Sequence, residues 1–501
     1  MKSFPNINIL RVLSFSGAIL VAGGCVTVGP NYVPPQTDAS TNWSSTLSSN
    51  ITIAPSAPEK LSRWWEQLND PILSDLMEQA RYGNLDVRQA EASLRAARAQ
   101  RGIARAALFP TVQAVAGASH SYGSQEESFS GTDADLFSNG FDASWEMDIF
   151  GKNRRALEAA NATLQASQED LSDELVSLFS EVAVNYVEVR AYQLVITITE
   201  SNLAARAENC DITRWRHEAG LTTQRDVDQA RLSLEQVRAQ LPALKTSLEK
   251  AKHRLAVLIG RPPGHLKELL AEAKPIPVPS KDIAIGVPAE MLRRRPDIRG
   301  AERRLAAQTA QIGVAQAACY PSFSLTGSIG LESLAFSSLY SSGAKTALGA
   351  ANAAWTLFDG GSLREAVNVQ TALQEKALDL YESTVLTALE DVENALTAYA
   401  NELERCLALE AAVKAGQSAY HLAQQQYMSG LIDFQTVLDT QQTLLDVQDD
   451  LVESQAEITA DVIRLYKAVG GGWEPRPTNA AANATGSTSA KFHVLRLCSG
   501  S

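Results

Sequence analysis

The sequence contains few of the residues on which metal, redox and catalytic centres depend. Its 501 residues include five cysteines and six histidines, but the cysteines form no CxxC pair and the histidines show no ligand spacing. We therefore expect neither a metal site nor a disulfide framework. The sequence shows no nucleophile motif and no Gly-rich phosphate loop, and its acidic residues have the Lys and Arg neighbours typical of solvated helix faces. Nothing in this pattern indicates an enzyme or a cofactor.

Long apolar runs, aromatic residues and excess positive charge are also scarce. No apolar run beyond the N-terminus approaches the roughly 20 residues that a membrane-spanning helix needs. The formal net charge of -13 disfavours nucleic acid as a partner. Only 6% of the residues are aromatic, and the long middle stretches are rich in Ala, Leu, Gln, Glu and Arg. This composition is typical of long helices.

The N-terminus has the pattern of a bacterial secretion signal that ends at a cysteine. Lys2 and Arg11 precede an apolar stretch, 12–24, that is too short to span a bilayer. The three small residues directly before Cys25 resemble a lipobox, so we expect cleavage before Cys25 and a covalent lipid on its thiol. Val26 favours the outer membrane as the destination. The alternative is an ordinary signal cleaved nearby, with Cys25 as a spare thiol.

The rest of the chain is a duplication. The stretch 85–110 matches 297–321 at an offset of 211, and further along the chain the register continues at an offset of 210. The matched pairs include Asp86 with Asp297, Arg88 with Arg299, Glu91 with Glu302, Gly102 with Gly313, Pro110 with Pro321, Trp145 with Trp355, Gly151 with Gly361 and Gly220 with Gly430. Each half therefore contains the same succession of elements.

Two stretches in each half place an apolar residue at every second position, which is the period of a β-strand. They predict hairpins at 110–150 and 321–358, with strands long enough to cross a bilayer once. The alternating residues are Val112, Ala114, Ala116, Ala118, Phe141, Ala143, Trp145, Met147, Ile149, Phe323, Leu325, Ile329, Leu331, Ala351, Ala353, Trp355 and Leu357. A soluble hairpin is the alternative. In a membrane, four strands cannot close a barrel, so three chains would have to share one of 12 strands.

Two long stretches are almost free of helix breakers: 152–219 contains neither proline nor glycine, and 362–429 contains only Gly416. Apolar residues recur every seven positions along both, in two seams each, which predicts coiled-coil packing on two sides and hence a closed cylinder of helices. The seams are Leu157, Leu164, Leu171 and Leu178 with Leu175, Val182, Val189 and Ile196, and Leu378, Val385, Val392, Tyr399 and Cys406 with Leu389, Leu396 and Leu403. Each helix turns at a Gly-containing link and returns, so helical hairpins about 100 Å long are expected at 152–260 and 362–470.

The predicted fold class is mainly α with a transmembrane β-barrel portion. Seven prolines between 261 and 296 mark a connector between the two halves. The expected segments are a signal peptide at 1–24, an N-terminal anchor and equatorial segment at 25–84, a first repeat at 85–260, the connector at 261–296, a second repeat at 297–470 and a disordered tail at 471–501.

Five stretches, taken together and in order, carry a family resemblance. They are CVTVGPNYVPP (25–35), WWEQLNDPILSDLMEQARYGNLDV (64–87), RRRPDIRGAERRLAAQTAQIGVAQAACYPSFSLTGSIG (293–330), YMSGLIDFQTVLDTQQTLLDVQ (427–448) and RLYKAVGGGW (464–473). They resemble the outer membrane factor family of tripartite efflux and secretion systems, of the TolC and NodT type, and specifically its lipoprotein branch. The resemblance implies a homotrimer with a 12-stranded β-barrel in the outer membrane, a 12-helix α-barrel in the periplasm and an equatorial region.

The resemblance implies conduction without catalysis. The chain would be the lipid-anchored exit duct for a periplasmic adaptor and an inner-membrane pump, expected to be of the RND type. The exit duct of a type I-like protein or peptide secretion system is the alternative within the family. A periplasmic coiled-coil scaffold is the alternative outside it, but a scaffold needs no strands.

The resemblance also implies a gate and a partner-binding surface at the far ends of the helical hairpins. Family members narrow the pore with rings of aspartate, and Asp439 falls on the family's motif aspartate. Gln442 stands where this branch often has Arg, and Asp226 and Asp228 lie at a similar distance past the first turn. From the residues alone, Asp439 also fits a first-turn acid stabilised by the helix N-terminus. The residues expected at the adaptor-contacting tips are Gly220, Leu221, Thr222, Gly430, Leu431 and Ile432.

Overall fold

The computed structural model describes residues 27–35, 43, 51–53, 61–122, 134–279, 283–285 and 293–473. The elements of the first half are β1 (Ile51–Ile53), a 3-10 helix (Trp64–Leu68), α1 (Pro71–Gly83), α2 (Leu85–Ala106), β2 (Thr111–Ser121), β3 (Ala134–Met147), α3 (Lys152–Glu218) and α4 (Gln224–Leu258). Those of the second half are β4 (Ile283–Ile285), α5 (Pro296–Ala317), β5 (Ser322–Ser333), 3-10 helices at Phe336–Ser338 and Ser342–Ala344, β6 (Lys345–Ala354), α6 (Ser362–Met428) and α7 (Phe434–Ala468).

The duplication read from the sequence is present in the fold. α3 and α6 each have 67 residues, and α4 and α7 each have 35. Each half consists of a helix, a β-hairpin, a long helix and a shorter returning helix in the same order. The mainly helical, duplicated fold class is therefore confirmed.

The long helices pack through the predicted heptad seams. Within α3 the side chains of Leu171, Leu178, Val182 and Val189 are buried, and each such burial contributes about 1.5–3 kcal/mol. The corresponding buried seam residues of α6 are Val385, Val392, Leu396, Tyr399 and Cys406. No helix within the described ranges is long and apolar enough to cross a membrane.

α4 continues through Pro242, which lies outside the two stretches, 152–219 and 362–429, that are almost free of helix breakers. A proline inside a helix removes one backbone hydrogen bond. The carbonyl that loses its donor is that of Arg238, one turn earlier, while the Pro242 carbonyl itself accepts from the Thr246 hydroxyl at 2.8 Å.

The helices form a layered protomer with two edges. α3 packs against α2, α4, α5 and α7, and α6 packs against α5 and α7. At the level next to the sheet, the helices therefore lie in the order α2, α3, α5, α6. Farther from the sheet, the order is α4, α3, α7, α6. Helices α2, α4 and α6 lie at the edges.

One antiparallel sheet joins the two predicted hairpins in the order β2-β3-β5-β6. Two of its strands, β3 and β6, end before the alternating sequence pattern does. β3 ends at Met147 and β6 at Ala354, so Ile149, Trp355 and Leu357 are not strand residues. The strands end there because the chain turns to enter α3 and α6.

The equatorial core surrounds buried aromatic residues from both ends of the described chain. The Trp64 indole stacks on Tyr466 with ring centroids 5.4 Å apart, and Trp65 lies 4.7 Å from Phe179. From the connector, Leu266, Leu270 and Ile276 are buried in the same core, and β1 pairs in parallel with β4. The signal peptide, Cys25 and most of the expected tail, from 474 onward, lie outside the described residues.

Candidate functional site

The four-stranded sheet has one apolar face and one polar face. Ala114, Phe141, Ile329 and Ala347 form one row across all four strands. The adjacent row points to the other face and contains Gln113, Asp142 and Ser328, with Leu348 at its edge. In the single protomer Phe141 and Ile329 are more than half exposed. An apolar outer face and a polar inner face are the pattern of a transmembrane β-barrel with an aqueous lumen.

The sheet meets the helices through the same contact in both halves. The Trp145 indole nitrogen donates to the Leu108 carbonyl at 3.1 Å, and the Trp355 indole nitrogen donates to the Cys319 carbonyl at 3.1 Å. Phe150 stacks on Tyr320 at the same level, with ring centroids 4.8 Å apart. Aromatic side chains with a polar atom are typical of the boundary between membrane and water.

The segment 27–35, which follows Cys25, is fastened to this junction. The Arg155 guanidinium is 4% exposed and donates to the carbonyls of Val28 and Gly29, each at 3.1 Å. The Val28 amide donates to the Phe150 carbonyl at 3.1 Å. The backbone of Gly29 lies so close to Gly313 that a side chain there would collide with it. The segment 27–35 therefore lies near the base of the sheet.

The far ends of the hairpins are two matched turns. Gly220 has φ +75° and Gly430 has φ +74°, a region that favours glycine. At both turns the helix closes with the hydrogen bonds of a Schellman motif, from Leu221 to Arg216 at 2.8 Å and from Leu431 to Gln426 at 2.9 Å. The Leu221 side chain is 68% exposed and that of Leu431 is 75% exposed.

The remaining tip residues contact the protein itself. Ile432 packs on a small core made by Tyr427, Phe434 and their neighbours. Thr222 is half-buried, and its carbonyl lies 3.0 Å from the His217 ring nitrogen. Of the six tip residues, the two leucines therefore present the largest exposed apolar surface.

Arg216 joins the two turns of one protomer. Its guanidinium donates to the carbonyls of Tyr427 and Met428, both at 3.2 Å, and lies over the Tyr427 ring. These carbonyls end α6, where a positive charge also complements the helix dipole. The first hairpin thus caps the long helix of the second.

Asp226 occupies a structural position at the start of α4. Its carboxylate accepts from the Thr223 amide at 3.0 Å, and its own backbone amide donates to the Thr223 hydroxyl oxygen at 3.4 Å, which forms a capping box. The hydrogen bond from the Thr223 amide lowers the pKa of Asp226. In the second half the roles are exchanged, since Asp433 caps α7 and accepts from the amide and hydroxyl of Thr436. The T-x-x-D spacing could have indicated this in the sequence.

Asp228 and Asp439 lie on exposed helix surfaces near the tips. Asp228 accepts from the Gln224 amide at 3.1 Å, and Asp439 accepts from the Gln435 amide at 2.7 Å. Both pairs are four residues apart on their own helix. Neither carboxylate has a salt bridge among the described residues. Asp439 is not in the first turn of α7, because the N-cap is Asp433.

Gln442, itself exposed, borders a buried polar layer between α3, α4 and α7 that the sequence did not reveal. The Arg206 guanidinium, 3% exposed, donates to the Gln442 side-chain oxygen at 2.8 Å and to the Ser233 hydroxyl. Asn209 donates to the side-chain oxygen of buried Gln441 at 3.3 Å. Burial lowers the pKa of Arg206. The only sequence signal for this layer was polar residues at heptad positions that face other helices. In a single helix, where the neighbouring helices are not known, such residues look solvated.

An amphipathic sheet joined at one end to two long helical hairpins defines an outer-membrane channel protein. Among the described residues, no group of three or more His, Cys, Asp or Glu side chains could hold a metal ion. The sequence model of the family described as Outer membrane efflux protein matches residues 76–261 and 287–471, one match in each half. The chain belongs to this outer membrane efflux protein family.

Individual relatives match almost the whole chain. Nodulation protein T of Rhizobium leguminosarum bv. trifolii is 32% identical over 468 residues, which cover 91% of this chain and 96% of that protein. The toluene efflux pump outer membrane protein TtgC of Pseudomonas putida is 30% identical over 468 residues, covering 92% and 96%.

Solved channels share the fold. The outer-membrane channel OprN superimposes with a TM-score of 0.85 and 36% identity, over 89% of this chain and 100% of that one. The open state of the Neisseria gonorrhoeae MtrE outer membrane channel gives 0.77 and 28%, over 89% and 99%. This chain is accordingly an outer-membrane component of an efflux system. It forms a trimeric channel whose 12-stranded β-barrel crosses the outer membrane and whose helices extend into the periplasm.

Proposed function

We propose that this channel is the passive exit duct of a tripartite efflux pump, which receives substrate from a periplasmic adaptor and an inner-membrane pump of the RND type and performs no catalysis. The observation that carries the proposal is the pair of matched tips. Both hairpins have the same length and end in the same turn with an exposed leucine, Leu221 or Leu431. Exposed apolar side chains at the end of a polar tube are suited to binding a protein partner.

The partner pump would set the substrate class. Relatives of 30–33% identity are named for toluene efflux, antibiotic efflux and pyoverdine export. Such different cargoes in similarly related channels support a duct that conducts what its pump delivers.

The gate would be formed by Asp439, repeated three times around the threefold axis. Three carboxylates facing a narrow lumen repel one another and attract cations. Asp439 fits this role better than Asp226, whose carboxylate is occupied by the capping box. The proposed partner of Gln442 is Arg206 of α3, which supplies the positive charge that the sequence lacks at position 442.

The N-terminal anchor would be a lipid on Cys25. The Arg155 contacts hold the segment after Cys25 at the base of the sheet, where acyl chains could enter the periplasmic leaflet. Mass spectrometry of the N-terminal peptide tests this directly. A mass increase that matches three acyl chains is expected, and an unmodified thiol would contradict the anchor.

The Leu431→Arg variant tests adaptor binding. A charged residue in the apolar contact should abolish co-purification of the adaptor and restore drug sensitivity, while trimer formation in the outer membrane is retained. Leu422→Arg, on an exposed face of α6, is the matched control away from the turn. Full co-purification and resistance in Leu431→Arg would contradict the assignment of the tips.

A further inference from the structure

Two edges of the protomer carry charge of opposite sign. α2 contains five arginines and two acidic residues. The first 21 residues of α6, 362–382, contain four acidic and two basic residues. α2 packs on α1 and α3, and α6 packs on α5 and α7, so both helices keep an exposed side.

The internal interface between α3 and α5 shows how such edges can fit together. The two helices are antiparallel, and the Arg299 guanidinium of α5 donates to the Glu169 carboxylate of α3 at 2.7 Å. Toward the sheet, Gly313 of α5 lies against the Arg155 side chain, whose Cγ would be 2.8 Å from a Cβ built at position 313. Two ion pairs at one level, Arg299 with Glu169 and Arg304 with Asp170, and a close helix approach at another therefore define this interface.

The duplication places the same contact elements on the two edges. Arg88 of α2 is the repeat equivalent of Arg299 of α5, at an offset of 211. Asp379 of α6 is the equivalent of Glu169 of α3, at an offset of 210. The charges are kept at both positions. Arg88 and Asp379 are exposed in the protomer, and neither forms a salt bridge within the part of the chain that the structure describes.

Equivalent contacts elsewhere support this transfer. Asn84 donates to the Leu258 carbonyl at 2.9 Å, and Arg295, its equivalent at an offset of 211, donates to the Ala468 carbonyl at 3.0 Å. The two carbonyls are themselves 210 residues apart. The repeat is therefore maintained in the contacts as well as in the order of the elements.

We infer that α6 of one subunit packs against α2 of the next in the trimer as a copy of the internal α3–α5 interface, with Asp379 paired to the neighbour's Arg88. The open sheet edges favour the same neighbour. Joining β6 to β2 of a second copy continues the antiparallel order. Because short connections, 355–361 and 107–110, link these strands to α6 and α2, closing the sheet brings the two helices side by side. The opposite charges of α2 and α6 then favour the alignment in which Asp379 faces the neighbour's Arg88.

The copy lacks the second ion pair, because Ser93 and Leu380 stand at the positions of Arg304 and Asp170. It also differs toward the sheet. Glu365 stands at the position of Arg155, and Gly102 stands at the position of Gly313 with open space around it. The segment 27–35 is therefore fastened at the internal site, where Arg155 donates to its carbonyls, and a glutamate cannot replace these bonds. Glu365 should instead lie near Gly102 of the neighbour, between arginines of α2.

Cysteine cross-linking in the full-length protein tests this interface. Gly102→Cys and Glu365→Cys in one chain should form disulfides between subunits on oxidation, because a Cβ at the internal counterpart, position 313, would lie against the Arg155 side chain, 2.8 Å from its Cγ. Covalent dimers and trimers on non-reducing gels are expected for the double variant, and neither is expected for the single variants. A double variant that is trimeric on unheated gels but yields only monomers after denaturation would overturn the inference.

Charge reversal provides a second test that does not require cysteine. Arg88→Glu and Asp379→Arg should each lower the temperature at which the trimer dissociates, and their combination should restore at least half of that loss. Glu78→Arg, an exposed charge reversal on α1, is the control and should leave the temperature unchanged. A combined variant no more stable than the weaker single variant would contradict the proposed pair. Neither test involves the adaptor, so failure here is distinct from failure of the proposed function.

Discussion

Trp145 and Trp355, 210 residues apart, make the same hydrogen bond to equivalent carbonyls, those of Leu108 and Cys319, at the same 3.1 Å distance. Each of these carbonyls lies two residues before the proline that precedes a strand. The two indoles therefore fix the return of each hairpin to the helix that leads into it. The duplication therefore extends to individual hydrogen bonds at the membrane boundary.

Replacing either tryptophan by phenylalanine should destabilise the trimer to a similar extent. Trp145→Phe and Trp355→Phe each remove one hydrogen bond, at a cost of about 0.5–1.5 kcal/mol per subunit. The dissociation temperature of the trimer on unheated gels measures the effect. Trp215→Phe, on an exposed part of α3, should leave it unchanged. Strongly unequal losses would contradict the equivalence of the two halves.

The Asp439→Ala variant should raise single-channel conductance and lower cation preference in planar bilayers. Removing three carboxylates from a narrow lumen removes both their mutual repulsion and their attraction for cations. Glu235→Ala on α4 is the control, because this carboxylate pairs with Arg238 on its own helix. Unchanged conductance and selectivity in Asp439→Ala would count against a gate at this position.

Arg206→Met should loosen α7 from α3. The variant keeps an unbranched apolar side chain but removes the guanidinium. This leaves the buried Ser233 hydroxyl without its donor, at a cost of roughly 1–3 kcal/mol, and breaks the bond to Gln442. Hydrogen exchange of the backbone amides in 437–446 should become faster. The control is Arg238→Met, whose guanidinium is exposed. If exchange stays at the wild-type rate, the buried layer does not hold the two hairpins together.

Asp449 should make the protein less stable as the pH rises. Burial, followed by the charges of Asp446 and Asp450, raises the pKa of Asp449 to about 6, and one of its carboxylate oxygens has no hydrogen-bond partner. Since the folded state holds this proton more tightly than the unfolded state, the contribution is favourable at low pH and is lost as the pH passes through 6.

The Asp449→Asn variant tests that direction. It should raise the unfolding temperature at pH 7.5 and leave it nearly unchanged at pH 4.5, because the amide is neutral at both. Asp450→Asn, at the exposed neighbouring position, is the control. A variant that is destabilised at pH 7.5 would show that the charged carboxylate is favourable in the fold.

The sequence predicted the elements whose signals are local and long. The absence of Pro and Gly from 152–219 predicted α3 to within a residue. The heptad seams predicted part of its buried side, from Leu171 to Ile196, but not Phe179 or Tyr186. The alternation predicted four strands but continued past the ends of β3 and β6, because Ile149, Trp355 and Leu357 keep the pattern after the strands end. Periodicity reports which face a residue occupies, and it does not report where the partner strand ends.

Contacts between distant residues could not be read from the sequence. Arg155 binds Val28 across 127 positions, and Arg206 binds Gln442 across 236. Each looked like a solvated arginine on a helix, since an isolated helix does not show what covers it. Asp226 shows the opposite case, because its capping box is a local pattern that the sequence contained.

The most direct test of an efflux duct is photo-crosslinking in cells from a reactive residue placed at Ser429, directly before Gly430 at the second tip. A reactive residue at Val112, on the apolar face of the sheet, is the control for contacts made elsewhere. The account predicts that Ser429, and not Val112, captures a periplasmic adaptor, which mass spectrometry identifies together with its pump. A trimer in the outer membrane that captures no adaptor from Ser429, although the adaptor is present, would contradict the account.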